Sequence, residues 1–436
     1  MKRSFLLVAV PFAAVLAVRA DPVVSEVVLT PPRQGVATVT YALSGGPAVI
    51  TLDIERRTGD GWRSIGEDRL QRLMGDVNRK VEGSGGTISW AVDGAIEAAD
   101  YRAKVTAWPL TDTPDYMVVS LAKAASAEDR IRYYTSTNAL PGGLLANPAY
   151  RTTMMVFRKV SAKGVAWKMG STAAEPASHV YAAREKQHDV TLARNYYLAV
   201  FPATQAQCTL IRGAVIEENH VVDRLLRLQS RLNYDWVRGD GWPSAPAASA
   251  LLGQARKLTD GLVDFDLPTE AEWEYACRAG HGDGYWGDGS KMTMVSYSQI
   301  ASCANLDRLA RYRNTQAIVG NTSYKLNSGP ENCTPIAGSY APNAWGFYDM
   351  NGGVEEYCLD WYQEDITALN GAVNVSAEDG TKCADGTAGA NRVVRGGSWV
   401  SQAYQVRPAM RGYVAPGYYG DSQQYGFRPK AYMGLE

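Results

Sequence analysis

The chain has 436 residues, 46% hydrophobic and 20% charged, with a formal net charge of −1 at pH 7. Ordinary apolar content at this length predicts two or three domains, each with its own core. The near-neutral balance excludes the basic footprint on which nucleic-acid affinity depends.

Residues 1–20 read as a secretory signal peptide. Lys2 and Arg3 precede an apolar run over 5–18, and Val18, Arg19 and Ala20 resemble a small-residue cleavage site. Cleavage would remove Lys2, Arg3 and Arg19 and no acid, moving the formal charge from −1 to −4. The run is short for a bilayer span and Pro11 interrupts it. No later segment is long and apolar enough, so no membrane span is expected after cleavage. The protein is therefore expected to be secreted, periplasmic or at the cell surface. All six cysteines (208, 277, 303, 333, 358 and 383) lie in the exported part. An even count in an oxidising compartment predicts disulfides before metal ligands, and no CxxC spacing points to zinc. The expected pairs are Cys303–Cys333 and Cys358–Cys383, each closing a long, turn-rich loop.

Residues 21–120 alternate or run apolar over 23–29, 36–43, 49–56, 87–92 and 101–108, with Gly, Pro and Asp clustered between. That spacing predicts an N-terminal all-β sandwich of immunoglobulin or fibronectin type III kind. A polar, Ala-rich stretch within 121–150 reads as a linker.

A third region spans 151–436, and its motifs come in a fixed order. Trp167-Lys-Met-Gly-Ser171 is a strand and turn, and Ala203-Thr-Gln-Ala-Gln207 opens a helix. Leu267-Pro-Thr-Glu-Ala-Glu-Trp-Glu-Tyr-Ala-Cys-Arg-Ala-Gly280 is a second helix whose physics is legible. Thr269 and Glu272 form a capping box, Trp273, Ala276 and Cys277 share one face, and Gly280 stops the helix. Glu270, Glu272 and Glu274 read as capping and structural pairing groups, with Arg395 or Arg428 as partners. Next come Pro342-Asn-Ala-Trp-Gly-Phe-Tyr-Asp-Met-Asn-Gly-Gly-Val-Glu-Glu-Tyr357 and Arg392-Val-Val-Arg-Gly-Gly-Ser-Trp399. Arg407, Arg411 and Gly426-Phe-Arg-Pro429 close the series.

These motifs resemble the formylglycine-generating enzymes, or sulfatase-modifying factors, across nearly the whole of 151–436. The resemblance implies an α+β, loop-rich domain that is a variant of the C-type lectin fold. In the catalytic members two cysteines near the C-terminus hold copper and oxidise a substrate cysteine. Their positions fall here at Ser401 and at Gln405 or Val406, and neither a hydroxyl nor an amide suits Cu(I) as a thiolate does. Copper is therefore not expected. The partner of the helix cysteine falls in Arg407-Pro-Ala-Met410, so Cys277 pairs elsewhere, as with Cys208, or stays a buried thiol.

The resemblance implies calcium at Asp349, Gly352, Val354 and Glu356, with a second site at Asn305 and Leu306. In that turn Gly353 replaces the family's Asn and Glu355 replaces a tryptophan. The segment 401–425 carries Ser401, Gln402, Tyr404, Gln405, Tyr413, Tyr418, Tyr419, Asp421, Gln423, Gln424 and Tyr425. Rings with amide and hydroxyl neighbours suit protein or glycan recognition. Diversified ligand-binding proteins of bacteria, similar in fold, place their variable residues there. The expectation is a secreted bacterial protein that recognises a protein or glycan ligand on a calcium-stiffened scaffold. The alternative is a formylglycine-generating oxidase acting on a sulfatase-type peptide.

Overall fold

The computed structural model describes residues 20–92, 100–122, 124, 126–175, 183–216, 225–239, 244–293, 303–313, 333–367, 372–373, 391–418 and 424–433. The chain divides into two compact units, Met1–Arg63 with Leu73–Pro109, and Ser64–Arg72 with Leu110–Glu436.

The described part of the first unit is built of β-strands. One sheet runs Val23–Arg33, Val36–Ser44, Gly85–Ala91, Leu73–Gly75. The other runs Gly61–Ser64, Ala48–Thr58, Arg79–Val81, with Tyr101–Pro109 also beside Ala48–Thr58. Strand period two sets the buried face, and Ala37, Val39, Tyr41 and Leu43 point inward. Gln34 and Gly35, both at positive φ (52° and 78°), make the two-residue hairpin between the paired Arg33 and Val36. That hairpin needs φ > 0 at both positions to match strand twist, which a glycine adopts freely.

The second unit is organised on a six-stranded antiparallel sheet. Its order is Ile131–Tyr134, Tyr116–Ser120, Met154–Val160, Tyr196–Ala199, Lys430–Met433, Val263–Asp266. The first two strands come from residues read in the sequence as the end of the β domain and a linker. The reason is their two-sided burial. Met117 and Val119 pack into one apolar cluster, and Tyr116 and Val118 into another on the opposite face. A run buried on both faces needs sheet neighbours, and Tyr116–Ser120 has one on each side. A second sheet holds Arg411–Val414, Arg392–Arg395, Glu355–Trp361 and Tyr425–Gly426, and a third holds Val165–Met169, His188–Leu192 and Ala372–Val373.

Five helices fill the described connections: α1 (Gln205–Arg212), α2 (Tyr234–Val237), α3 (Leu251–Leu258), α4 (Glu270–Arg278) and α5 (Ala304–Leu309). Capping boxes open α1 at Thr204 and Gln207 and α4 at Thr269 and Glu272. Trp273, Ala276 and Cys277 of α4 pack with Met169, Val190, Tyr196 and Val393. The left-handed turn that ends α4 begins at Ala279 (φ 48°), one residue before the predicted stop at Gly280.

Among the described residues no disulfide forms. The expected Cys303–Cys333 bond is absent, and Cys303 is packed as a small apolar group beside Trp286, Leu306 and Tyr312. Cys277 and Cys208 sit in different apolar clusters and do not pair. Cys383, and with it the expected bond to Cys358, lies outside the described residues.

Candidate functional site

Charge is buried under α4 on a large scale. Glu274 accepts from Arg278 Nε at 2.8 Å and pairs with Arg395. Glu270 is held by Arg411 at 2.6 and 3.0 Å, and Glu272 accepts from Lys430 Nζ at 2.8 Å. Glu175 joins Arg278 to Arg407, and Arg407 also donates to Glu185 at 2.7 and 2.9 Å. Burial alone would push the Glu274 carboxyl up, but Arg278 and Arg395 outweigh it and hold it below the usual range. These glutamates are each paired with bases, as structural charges must be in a dry interior. The predicted Arg395 partner for the helix is present, whereas Arg428 pairs elsewhere.

Arg428 faces Glu356. Its Nη2 and Nε donate to the two carboxylate oxygens at 2.9 and 3.0 Å, and Trp273 Nε1 donates to Oε2 at 2.7 Å. Glu356 is thus engaged on both oxygens by fixed protein donors. Asp349, in the left-handed region at φ 55°, keeps one oxygen on the Gly338 N–H at 2.8 Å. Its Oδ1 is buried without a hydrogen-bond partner. Burial raises the Asp349 carboxyl to about 6, against the pull of Gly338 and Arg428.

Calcium takes about six to eight oxygens, with carboxylates that must be available to it. The turn offers a single unengaged carboxylate oxygen, and a guanidinium already occupies Glu356, so the arrangement does not fit the ion. The Asn305 side chain donates to the Lys291 carbonyl at 2.9 Å, and the Leu306 carbonyl accepts from Ala310 at the end of α5. Among the described residues no group of three or more His, Cys, Asp or Glu is placed to hold a metal.

The predicted recognition segment separates into three environments. Ser401 is buried, its Oγ accepting from the Ser398 N–H at 2.9 Å. Gln402 and Gln405 close a turn, with Gln405 Oε1 accepting from the Gln402 N–H at 2.8 Å. The Tyr404 carbonyl accepts from Arg407 Nε. These four build the turn over the buried arginine. Tyr413 is exposed and stacks on Tyr362 at 4.3 Å, with Arg184 over its ring. On the other face of the same sheet, Tyr425 packs on Tyr357 at 5.8 Å, and the exposed Tyr418 meets Tyr425 edge-on at 6.5 Å. Tyr419, Asp421 and Gln423 lie outside the described residues.

The copper chemistry depends on thiolates, and the described thiols are poor candidates. Burial pushes Cys277 up to about 12 and Cys358 well above the ordinary thiol range. Glu355, which sequence reasoning marked only as a substitution, stands in the Tyr357–Tyr425 face. Its half-buried side chain lies against Gly412, where an added Cβ would come within 3.4 Å of Oε2. The signal was present in the sequence as a carboxylate where the family carries an aromatic ring.

Among relatives, the chain is 29% identical over 165 residues to the formylglycine-generating enzyme of Mus musculus, covering 37% of this chain and 38% of that protein. It is 31% identical to the one from Streptomyces coelicolor, covering 37% and 45%. It is also 28% identical over 246 residues to the serine/threonine-protein kinase pkn1 of Chlamydia caviae, covering 55% and 33%. The chain thus spans a third to under half of the length of these curated relatives. Treponema denticola variable protein 1 aligns in structure with a TM-score of 0.45 at 19% identity, over 64% of this chain and 95% of that one. PvdO from Pseudomonas aeruginosa aligns at 0.43 and 20%, over 63% and 94%. Residues 151–429 match the sulfatase-modifying factor enzyme 1-like domain, and the chain belongs to that family.

Proposed function

We propose that this chain is a recognition protein on the sulfatase-modifying scaffold and not a copper oxidase. The observation that carries the reading is the state of the thiols and of Ser401. At the position aligned with the first copper cysteine stands a buried hydroxyl fixed to Ser398. Cys277 and Cys358 are buried and held as neutral thiols at physiological pH. An oxidase of this kind needs a soft thiolate pair open to substrate.

What the second unit does offer is aromatic surface. Tyr413 with Tyr362, and Tyr418 with Tyr425, present rings on rigid strands or directly beside them, the arrangement that contacts proteins or glycans at low entropic cost. The signal-like residues 1–20 agree with action outside the cytoplasm, and the first unit then serves as an immunoglobulin- or fibronectin-like spacer. Calcium has no part in this reading.

Two measurements test it. The protein is incubated with Cu(I), oxygen and a peptide carrying Cys-x-Pro-x-Arg, beside a converting control, and aldehyde is sought by mass spectrometry. Absence of conversion is expected; conversion lost on changing Cys358 or Cys383 to serine would establish the oxidase instead. Binding to glycan and peptide arrays is expected to fall at least about tenfold in a Tyr413→Ala/Tyr418→Ala variant, the scale of one anchor residue. Array ligands bound equally by that variant would defeat the recognition reading.

A further inference from the structure

Glu355 begins the strand Glu355–Trp361, and side chains alternate along it. Glu356 and Cys358 point to one side, into the ion-paired and apolar interior. Glu355, Tyr357 and Leu359 point to the other, where Tyr357 and Leu359 join the apolar cluster containing Val394 and Val414. A carboxylate at this place is out of keeping with its neighbours. It is half-buried and has no hydrogen bond or ion pair among the described residues, where every fully buried glutamate has a base. Burial is the sole cause that moves it, raising its carboxyl to about 7.

Its surroundings are aromatic and open on one side. Tyr425 is the cross-strand neighbour of Glu355 and packs on Tyr357, and Tyr418 stands at the rim, 47% exposed. Gly412 leaves the room that the carboxylate occupies, since a Cβ there would meet Oε2 at 3.4 Å and Val394 at 2.9 Å. The charged groups facing this region are few. Asp235 of α2 adds a second negative charge near Tyr357. Among the described residues, Arg392 lies over the Trp361 and Tyr234 rings at 3.4 and 4.3 Å and donates to the Leu359 carbonyl, and Arg238, whose charge also acts on Tyr234, is paired with Asp266.

A half-buried carboxylate without a base among the described residues, set beside tyrosine faces, has the components of a cation seat. Rings attract a cation through their quadrupoles, and the unpaired carboxylate gains the partner whose absence makes its burial costly. We propose that Glu355, flanked by Tyr357, Tyr425 and Tyr418, receives the guanidinium or ammonium group of an arginine or lysine side chain on a protein ligand. The inference rests on the recognition reading above and names the chemistry of one of its two aromatic sites. A neutral glycan could offer this carboxylate only hydroxyl donors, without the charge that a guanidinium or ammonium group brings.

The probe is Nα-acetyl-arginine amide, with the lysine and glutamine analogues as comparison, titrated into the full chain and followed by calorimetry or ligand-observed NMR. Saturable binding of the two cationic amides and none of the glutamine analogue is expected. Glu355→Gln keeps the shape and removes the charge. It is expected to weaken binding at least tenfold while melting no lower than the parent protein, which separates loss of a ligand from loss of fold. Tyr425→Leu gives a second reading that retains the carboxylate, and weaker binding is expected there too. Equal affinity for all three amides, or cation binding unchanged by Glu355→Gln, overturns the proposal. An array ligand that depends on Tyr418 but not on Glu355 also overturns it, while leaving the recognition function standing.

Discussion

Arg428→Met removes the one base on Glu356 among the described residues and so measures what buried pairing contributes to this unit. Arg428 is fully buried. It gives Glu356 three hydrogen bonds and donates to the carbonyls of Ala199, Val200 and Tyr348 at 2.8, 2.9 and 2.7 Å. Methionine fills much of the volume but leaves a buried carboxylate held only by Trp273, and three carbonyls to find water. Breaking a buried pair from one side costs about 3–5 kcal/mol, and each stranded acceptor adds roughly 1 kcal/mol or more unless the site relaxes. With the three carbonyls reaching water the expected loss is about 3–5 kcal/mol, and with all three stranded about 6–8 kcal/mol, either a large part of the ~5–15 kcal/mol that a domain commands. Guanidinium unfolding of the full chain, followed by tryptophan fluorescence, reads it as an earlier midpoint for the second unit.

The pH dependence gives an independent check. Burial already raises the Glu356 carboxyl against the pull of Arg428, and without its arginine it moves further above the ordinary ~4.3 of a free glutamate. A raised acid costs stability above its folded pKa, and the cost fades as pH falls towards the unfolded value. The gap between parent and variant should therefore narrow from pH 8 to pH 5. In the double variant Glu356→Gln/Arg428→Met the charge is gone, so part of the loss should return. A loss under ~1 kcal/mol, a gap unchanged with pH, or a double variant no better than the single one would refute the reasoning.

Three further outcomes are expected. Because burial raises Glu355, stability should fall as pH rises from about 4 to about 7 and level off above; Glu355→Gln should flatten that limb and gain ~1–2 kcal/mol at pH 8, read by thermal melts in paired buffers. Calcium at millimolar level, against a chelator, should leave the melting temperature of the second unit unchanged, since Arg428 holds Glu356; a rise of several degrees would show that the turn rearranges around the ion. Thr269→Ala should cost about 1 kcal/mol by removing the acceptor for the Glu272 N–H, with Thr269→Ser recovering most of it.

Much of this protein is local and was readable from residues a few positions apart. The capping box at Thr269 and Glu272, the apolar face of Trp273, Ala276 and Cys277, and the order of motifs from Trp167 to Pro429 depend on short-range periodicity. They were enough to name the family. What escaped is long-range. Glu185 meets Arg407 across 222 positions and Arg428 reaches the Ala199 carbonyl across 229, so no spacing rule anticipates either. The engagement of Arg428 bears on the calcium expectation, because Glu356 has both oxygens held by protein donors while Asp349 Oδ1 stays without a partner. The same holds for the 401–425 segment. Strand alternation sends Tyr413 to one face of a sheet and Tyr425 to the other, which a list of tyrosines in a loop does not contain. Sequence determines which groups are available, and only the packed chain decides which of them still have a bond to give.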